Sequence, residues 1–455
     1  MKGKKERFIN NSIQYYSNNV YYKGTILNHT MIYERKILKN IREWIDKNAI
    51  IVLTGMRRVG KTTLFRIIYD ELKSKNKVFL DVENPIIQKI FQEINYDNVF
   101  ANLKKYGITD NEKAYIFLDE IQALPDIVKV IKYLFDHYNI QFFLTGSSSF
   151  YLKNLFSESL AGRKIIFELF PLDFEEFLIF KGFIENSDNY NMSSSEFSKG
   201  QFGKTSDAIN RIVHNKVFNT LFEEKDKNKN YISYERTIKY FEEYLEFGGF
   251  PQIILAGKND EKKSWLDDIF KSYFEKEVRN FSDFREIDKL RETMLLLMQR
   301  GGSKLNIHNI SEEIGVTRKT IYSYISFLES TYFIKLISPY STNVGQEVSG
   351  AKKVYLCDTG ILNHFAKVTS GALLENCVFN LIRNYGNINY YERRTGGEVD
   401  FIIKDKKIAL EVKQKGNLID YRKIKKIADV LGMKESYIIT KEYVNNNGFI
   451  LASDI

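Results

Sequence analysis

The chain has 455 residues, about three domains at roughly 150 residues each, and its 44% hydrophobic and 27% charged content describes a core-forming chain. No run approaches the roughly 18 apolar residues of a membrane helix. The start, MKGKKERFINNSIQYYSNN, lacks the apolar segment of a secretory signal, and two cysteines with five scattered histidines exclude a disulfide framework or a zinc site. The 67 Lys+Arg against 58 Asp+Glu give a net charge of +9, which permits a polyanionic partner without requiring one; a soluble, cytoplasmic protein with no membrane contact is expected.

Residues 1–33 read as a polar lead-in rich in Tyr and Asn. Ile37, Leu38, Ile41, Trp44 and Ile45 recur at helical spacing and predict an amphipathic helix over 34–45. Four short apolar runs follow, AIIVLT (49–54), KVFLDV (77–82), AYIFLDE (114–120) and IQFFLTG (140–146), with helical stretches between them. That alternation predicts βαβ units and a parallel sheet in a first domain over 34–171. Residues 172–285 read as a helical lid. Helical periodicity runs through 207–222, 231–247 and 265–278, while 186–206 and 223–230 are polar and read as surface loops.

Gly55, Met56, Arg57, Arg58, Val59, Gly60, Lys61 and Thr62 match G-x-x-x-x-G-K-[ST] between a strand and a helix, the context this motif requires. Backbone N–H groups of such a turn, and the positive end of the helix dipole behind it, face phosphate oxygens. Gly55 and Gly60 let the backbone approach, Lys61 brings a point charge to the β/γ oxygens, and the Thr62 hydroxyl ligates Mg²⁺, with Thr63 beside it. ATP and Mg²⁺ are the expected cofactors. Asp119 ends a buried strand, where its carboxylate can hold the Mg²⁺ shell. Glu120 next to it is the candidate for polarising the attacking water. Thr145, Ser147 and Ser148 close the next strand, either as a γ-phosphate sensor or as a plain turn. Arg163 is either an arginine finger, acting in cis or from a neighbouring subunit of a homo-oligomer, or a structural ion pair.

Together GMRRVGKTTL, YIFLDE, LTGSS, SLAGR, LFPLDFEEF and GGFP resemble a family of archaeal and bacterial AAA+-type ATPases, in which a P-loop domain precedes a C-terminal domain of uncharacterised role. KVYLCDTG, LLENCVFN, EVDF and ALEVK extend the resemblance over most of the chain. Gly248–Pro251 is similar to a Gly-x-Pro element that, in signal-transducing relatives, lies near the nucleotide base.

Within 286–345, the stretch LNIHNISEEIGVTRKTIYSYISFLESTYFIKLISPY (305–340) carries two helical patterns about a turn at Gly315. Ile310, Ile314 and Val316 pack the first, Ile321, Tyr324, Ile325 and Leu328 the second, and Thr317 stands at an N-cap before Arg318 and Lys319. Helix-turn-helix logic would place 317–327 against DNA, with 333–340 starting a wing; the same shape also serves as a protein–protein module. Over 346–455, GALLENCVFNLI (371–382), GGEVDFIIK (396–404) and KIALEVKQK (407–415) follow in order. Strand alternation puts Glu398 and Asp400 on one face, opposite Val399, Phe401 and Ile403, and puts Glu411 and Lys413 opposite Leu410 and Val412. A hairpin through Lys404–Lys406 would let Asp400, Glu411 and Lys413 converge. This resembles the D…E-x-K core of restriction-endonuclease-like folds, with Glu375 as a further acid. The resemblance implies a Mg²⁺ held by Glu375, Asp400 and Glu411 and a water oriented by Lys413. Basic residues from Arg393 and Arg394 through Lys404, Lys406, Lys407 and Lys415 to Arg422, Lys423, Lys425 and Lys426 would form a phosphate-contacting surface.

The whole reads as α/β: a P-loop NTPase parallel sheet with a helical lid, then a winged helix, then a small α/β restriction-endonuclease-like domain. Two functions fit. One is an ATP-hydrolysing protein that couples nucleotide state to DNA binding or cleavage. The other is a nucleotide-dependent switch whose C-terminal domain binds without cutting.

Overall fold

The computed structural model describes residues 25–27, 30–33, 35–146, 160, 162–183, 227–278, 287–341, 344–393 and 396–455. The helix read over 34–45 is shorter, α1 at Ile37–Arg42, with turns after it and Asp46 in the left-handed region. Leu38 and Ile41 are its buried anchors.

Five strands then form a parallel sheet: β1 (Ile50–Gly55), β2 (Lys77–Asp81), β3 (Ala114–Asp119), β4 (Ile140–Gly146) and β5 (Lys164–Leu169). Their order is β2-β3-β4-β1-β5, with every neighbouring pair parallel. β1, β3 and β4 are buried along their whole length, which is why they read as unbroken apolar runs rather than alternating ones. Helix α2 (Lys61–Glu71) lays Phe65 edge-on against Phe117 and Phe143, whose rings stack at 4.2 Å. Each such buried phenylalanine contributes roughly 2–3 kcal/mol.

Of the lid, 207–222 and 186–206 lie outside the described residues. Helix α3 (Lys227–Phe247) begins inside the segment read as a polar loop and continues through the amphipathic stretch that follows. α4 (Asn259–Tyr273) continues into a wider π-turn at 274–278. The helix-turn-helix pattern folds as α5 (Ile307–Ile314), Gly315 at φ 74°, and α6 (Arg318–Ser330), with Thr317 accepting the Thr320 N–H at 3.1 Å. All the expected core residues of the two helices are buried except the half-buried Val316. Strand β6 (Ile334–Ile337) pairs antiparallel with β7 (Lys353–Leu356), so the second strand of the wing falls beyond position 345, where the sequence divided the chain. One continuous core joins α2, α4, α5, α6, β7 and α7 (Thr359–Ala366), so this region shares its core with the nucleotide-side helix.

The last domain is a five-stranded sheet in chain order, β8 (Ile388–Glu392), β9 (Glu398–Ile403), β10 (Ile408–Lys413), β11 (Glu435–Thr440) and β12 (Phe449–Leu451). Helix α8 (Ser370–Ile382) covers one face and α9 (Leu418–Val430) the other. The β9–β10 hairpin turns at Lys404–Lys406 as expected. The alternation expected for β9 fails, however. Asn389 pairs with Ile402 but Tyr391 with Val399, so a bulge at Asp400–Phe401 absorbs one residue. Val399 therefore joins Ile402 under α9, while Phe401 and Ile403 face α8. Among the described residues no helix is long and apolar enough to cross a membrane.

Candidate active site

The carboxyl ends of β1 and β3 carry the two halves of the site. Gly55, at φ 151°, has no alternative residue: a Cβ there would lie 2.1 Å from the Leu169 carbonyl oxygen of β5. Arg58 and Gly60 adopt positive φ as the loop curls into α2. The Lys61 ammonium is buried and donates to the Gly55 and Met56 carbonyls at 2.9 and 3.0 Å, so it closes the loop on itself. Burial pushes its pKa down, against the pull of the Glu120 and Glu277 carboxylates. Thr62 donates to Asp119 at 2.8 Å. Thr145, fully buried, donates to the other Asp119 oxygen and accepts the Glu120 N–H at 3.0 Å. Burial raises the Asp119 carboxyl while these two hydroxyls hold it down. Glu120 sits in the left-handed region at φ 54° and accepts from Gln122. Burial works against its charge, yet Lys61 and Arg57 overcome that and hold it below the usual range.

This donor set fits a Mg²⁺-bound nucleoside triphosphate. Thr62 and Asp119 are already joined oxygen to oxygen, and the Lys61 charge lies in the loop that would cradle the phosphates. The exposed Thr63 follows on the open turn of α2. Ser147 and Ser148 lie outside the described residues. Arg163 lies away from the loop of its own chain. It forks onto Asp136 at 2.7 and 3.1 Å, and its carbonyl accepts the N–H of Ile50 at the opposite end of β1. Five residues of strand, about 17 Å, separate that end from the loop.

Several contacts at the loop were not foreseeable from the motif. Arg57 pairs with Glu277 at 2.7 Å and lies 3.8 Å from both Glu83 and Glu120. Arg58 pairs with Asp268 at 2.6 Å and donates to Gln252 at 3.2 Å. Arg35 donates to the Val59 carbonyl at 3.0 Å and pairs with Glu176 at 3.0 Å. Cys357, 301 residues away, places its thiol 3.4 Å from the Met56 sulfur. The Gly248–Pro251 element is wedged rather than open. Gly249 donates to Asp358 at 2.7 Å and accepts from Leu172 at 2.7 Å, and a Cβ on Gly248 would lie 2.1 Å from Asp358. Two charges within one loop facing the lid were the available signal, since a P-loop needs only one lysine.

In the C-terminal sheet, Asp400 accepts the Val412 N–H at 2.7 Å, and Glu411 pairs with Lys413 at 2.7 Å. Burial, then the charges of Glu411 and Glu375, push the Asp400 carboxyl well up, and burial also raises Glu411, one of whose buried oxygens has no partner. The bulge and hairpin thus bring Asp400 and Glu411 together. Glu375 accepts from Tyr355 at 2.7 Å and Lys353 at 3.3 Å; Lys353 also meets Glu398 at 2.6 Å. Among the described residues no three His, Cys, Asp or Glu side chains are grouped so as to hold a metal ion. The expected Glu375/Asp400/Glu411 metal set is therefore not assembled: buried Lys353 supplies positive charge where a metal was expected. A lone lysine at the head of the apolar strand KVYL was its sequence signal. Of the basic set, Arg422, Lys423, Lys425 and Lys426 are exposed on α9, Lys404 is tied to Glu347 at 2.8 Å, Lys415 to Glu442 at 3.4 Å, and Arg394 lies outside the described residues.

Residues 47–178 match a family described as an AAA domain, and 238–372 and 370–447 match two domains of unknown function. An uncharacterised protein of Methanocaldococcus jannaschii is 29% identical over 382 residues, 81% of this chain and 75% of the relative. An uncharacterised protein of Haemophilus influenzae is 23% identical, covering 83% and 85% of the two chains. Of solved structures, a Walker-type ATPase of Pyrococcus abyssi is similar at a TM-score of 0.38 and 13% identity, covering 73% of this chain and 96% of that one. The parallel sheet, the P-loop and the Thr62–Asp119–Glu120 corner, with the family match over the same residues, make the N-terminal part an AAA-type, P-loop ATPase-like domain.

Proposed function

We propose that the chain binds and hydrolyses ATP at residues 55–63 and 119–120 and uses the nucleotide state to change how α6 and the C-terminal domain engage DNA. The observation that carries this reading is the corner in which one hydroxyl, Thr145, holds both Asp119 and the backbone of Glu120. Thr62 and Asp119 would hold Mg²⁺, which neutralises phosphate charge when bound. Lys61 leaves its two loop carbonyls for the phosphate oxygens. Glu120 orients the attacking water and takes its proton, with its carboxylate kept ionised by Lys61 and Arg57. Loss of the γ-phosphate changes the charge seen by Arg57, whose partner Glu277 lies in the turn that ends α4.

DNA contact is supported by the outer face of α6, where Arg318, Lys319, Tyr322 and Ser323 are exposed beyond a capped N-terminus. Lys353 within the C-terminal acids favours a binding module over a cutting one. The test measures duplex binding with ATP, with ADP and without nucleotide, beside ATP turnover, in native protein and Lys61→Ala. Nucleotide-dependent affinity lost in Lys61→Ala is expected; affinity indifferent to nucleotide in turnover-competent protein sinks the coupling. Metal-dependent nicking abolished by Asp400→Ala would replace the binding module by a nuclease.

A further inference from the structure

Where the ATPase sheet, the helix-turn-helix and the C-terminal domain meet, a cavity of about 890 Å³ opens, within the size range of small-molecule sites. Its walls come from the end of β5 (Glu168, Phe170), from α6 and β6, and from the corner between α8 and β8. Most of its charges are settled within the protein. Glu329 pairs with Lys335 at 3.2 Å and Glu347 with Lys404 at 2.8 Å. Glu168 accepts from the Tyr332 hydroxyl at 3.0 Å, and Asp405 accepts the Asn387 N–H at 2.9 Å.

Arg383 is the exception. Its guanidinium lies on the Phe170 ring, 3.8 Å from the centroid, and one terminal nitrogen donates to Asn380 at 3.1 Å and weakly to Cys357 at 3.5 Å. Its buried Nε has no partner, and no described carboxylate forms an ion pair with it. The residue caps the C-terminus of α8, whose dipole supplies only about half a charge. Burial brings the guanidinium pKa down to about 10, against the upward pull of the Asp173 and Asp358 carboxylates, which lie beyond ion-pair distance. A planar fork held over an aromatic ring, with donors left over, matches the geometry of a phosphate.

We propose that this cavity is a binding site for a small phosphate-bearing ligand, with Arg383 as its anion anchor, distinct from the P-loop. Its occupant would touch all three domains at once and so bias their packing. The asparagine-rich rim, with Asn384 exposed and Asn387 beside it, supplies amides for the rest of the ligand.

The experiment is hydrogen–deuterium exchange on the full chain with and without inorganic phosphate, against chloride at equal ionic strength. Native protein and Lys61→Ala should both gain protection over 334–338 and 379–388. Arg383→Met, and Arg383→Gln as the variant that keeps an amide donor, should lose that gain, with phosphate bound about tenfold or more weakly for one charge-assisted bond. Protection confined to 55–63, protection at neither place, or protection that survives in Arg383→Gln overturns the proposal. Because the readout is regional and includes Lys61→Ala, its failure is separable from failure of the ATP-site reading.

Discussion

Replacing Thr145 with valine removes one hydroxyl and leaves the side-chain shape unchanged. The hydroxyl donates to Asp119 and accepts the Glu120 N–H at 3.0 Å, in a position with no exposure. Valine leaves that N–H without an acceptor, which costs about 1–3 kcal/mol when buried, and removes a bond to a carboxylate worth about 1.5–3 kcal/mol. The variant should lose on the order of 3 kcal/mol in urea unfolding. Asp119, already raised by burial, loses one of the two hydroxyls that hold it down and rises further. Glu120 loses the tether on its left-handed backbone. Since a placed general base contributes about 10²–10⁴-fold, kcat should fall by about 10–100-fold. Nucleotide affinity, set by the loop, should stay within about threefold. Phosphate release and direct ATP binding measured side by side check both numbers, and Thr145→Ser should recover turnover. Wild-type turnover in Thr145→Val refutes the positioning role. Weakened ATP binding at unchanged kcat would instead make the hydroxyl a contact to the nucleotide.

Asp358 gives a pH prediction. Burial pushes its carboxyl from 3.8 up to about 6, so the folded state holds the proton more tightly. Its contribution to stability is present below about pH 4 and is lost as pH rises through about 6, roughly 3 kcal/mol in all. The stability difference between native protein and Asp358→Asn should shrink by about that amount from pH 4 to pH 7; a difference independent of pH contradicts the burial argument. Lys353→Met strips the cation from Glu375 and Glu398 and should cost about 3–5 kcal/mol in urea unfolding at pH 7. A loss below about 1 kcal/mol would refute the stabilising role of the pair. Arg318→Ala and Lys319→Ala should each weaken duplex binding evenly across sequences and flatten the log–log salt dependence by about 0.9 for every phosphate no longer neutralised. An unchanged slope moves DNA off α6.

The ATPase sheet was legible because its strands are buried on both faces and its loop obeys a rule of spacing. The strands predicted from AIIVLT and IQFFLTG lie within a residue of β1 and β4. The helix-turn-helix was legible for the same reason, a 3.6 periodicity broken at a glycine that takes φ 74°. Long-range ion pairs were not. Nothing local ties Arg57 to Glu277 or Arg163 to Asp136, and a charge can meet any acid that folding brings near. The bulge at Asp400 was also hidden, because strict alternation assumes one residue opposite one, and the register slips by one between Asn389 and Tyr391. That slip turned Val399 to the other face, yet still left Asp400 beside Glu411.

The phosphate loop is translated early and enclosed late. Met56 and Val59, both buried, are packed by chain made long afterwards, and 301 residues separate Met56 from the cysteine that touches it. At about 5–20 residues per second, that interval lasts about 15–60 s. During it the residues that would hold a nucleotide are already synthesised, while Glu277, Asp268 and Cys357 are not. ATP can therefore occupy the loop before its permanent neighbours exist and hold it in the shape they later grip. An isolated fragment ending near 183 would freeze the chain in that interval, with the loop's apolar underside facing water, Arg57 without Glu277 and Arg58 without Asp268.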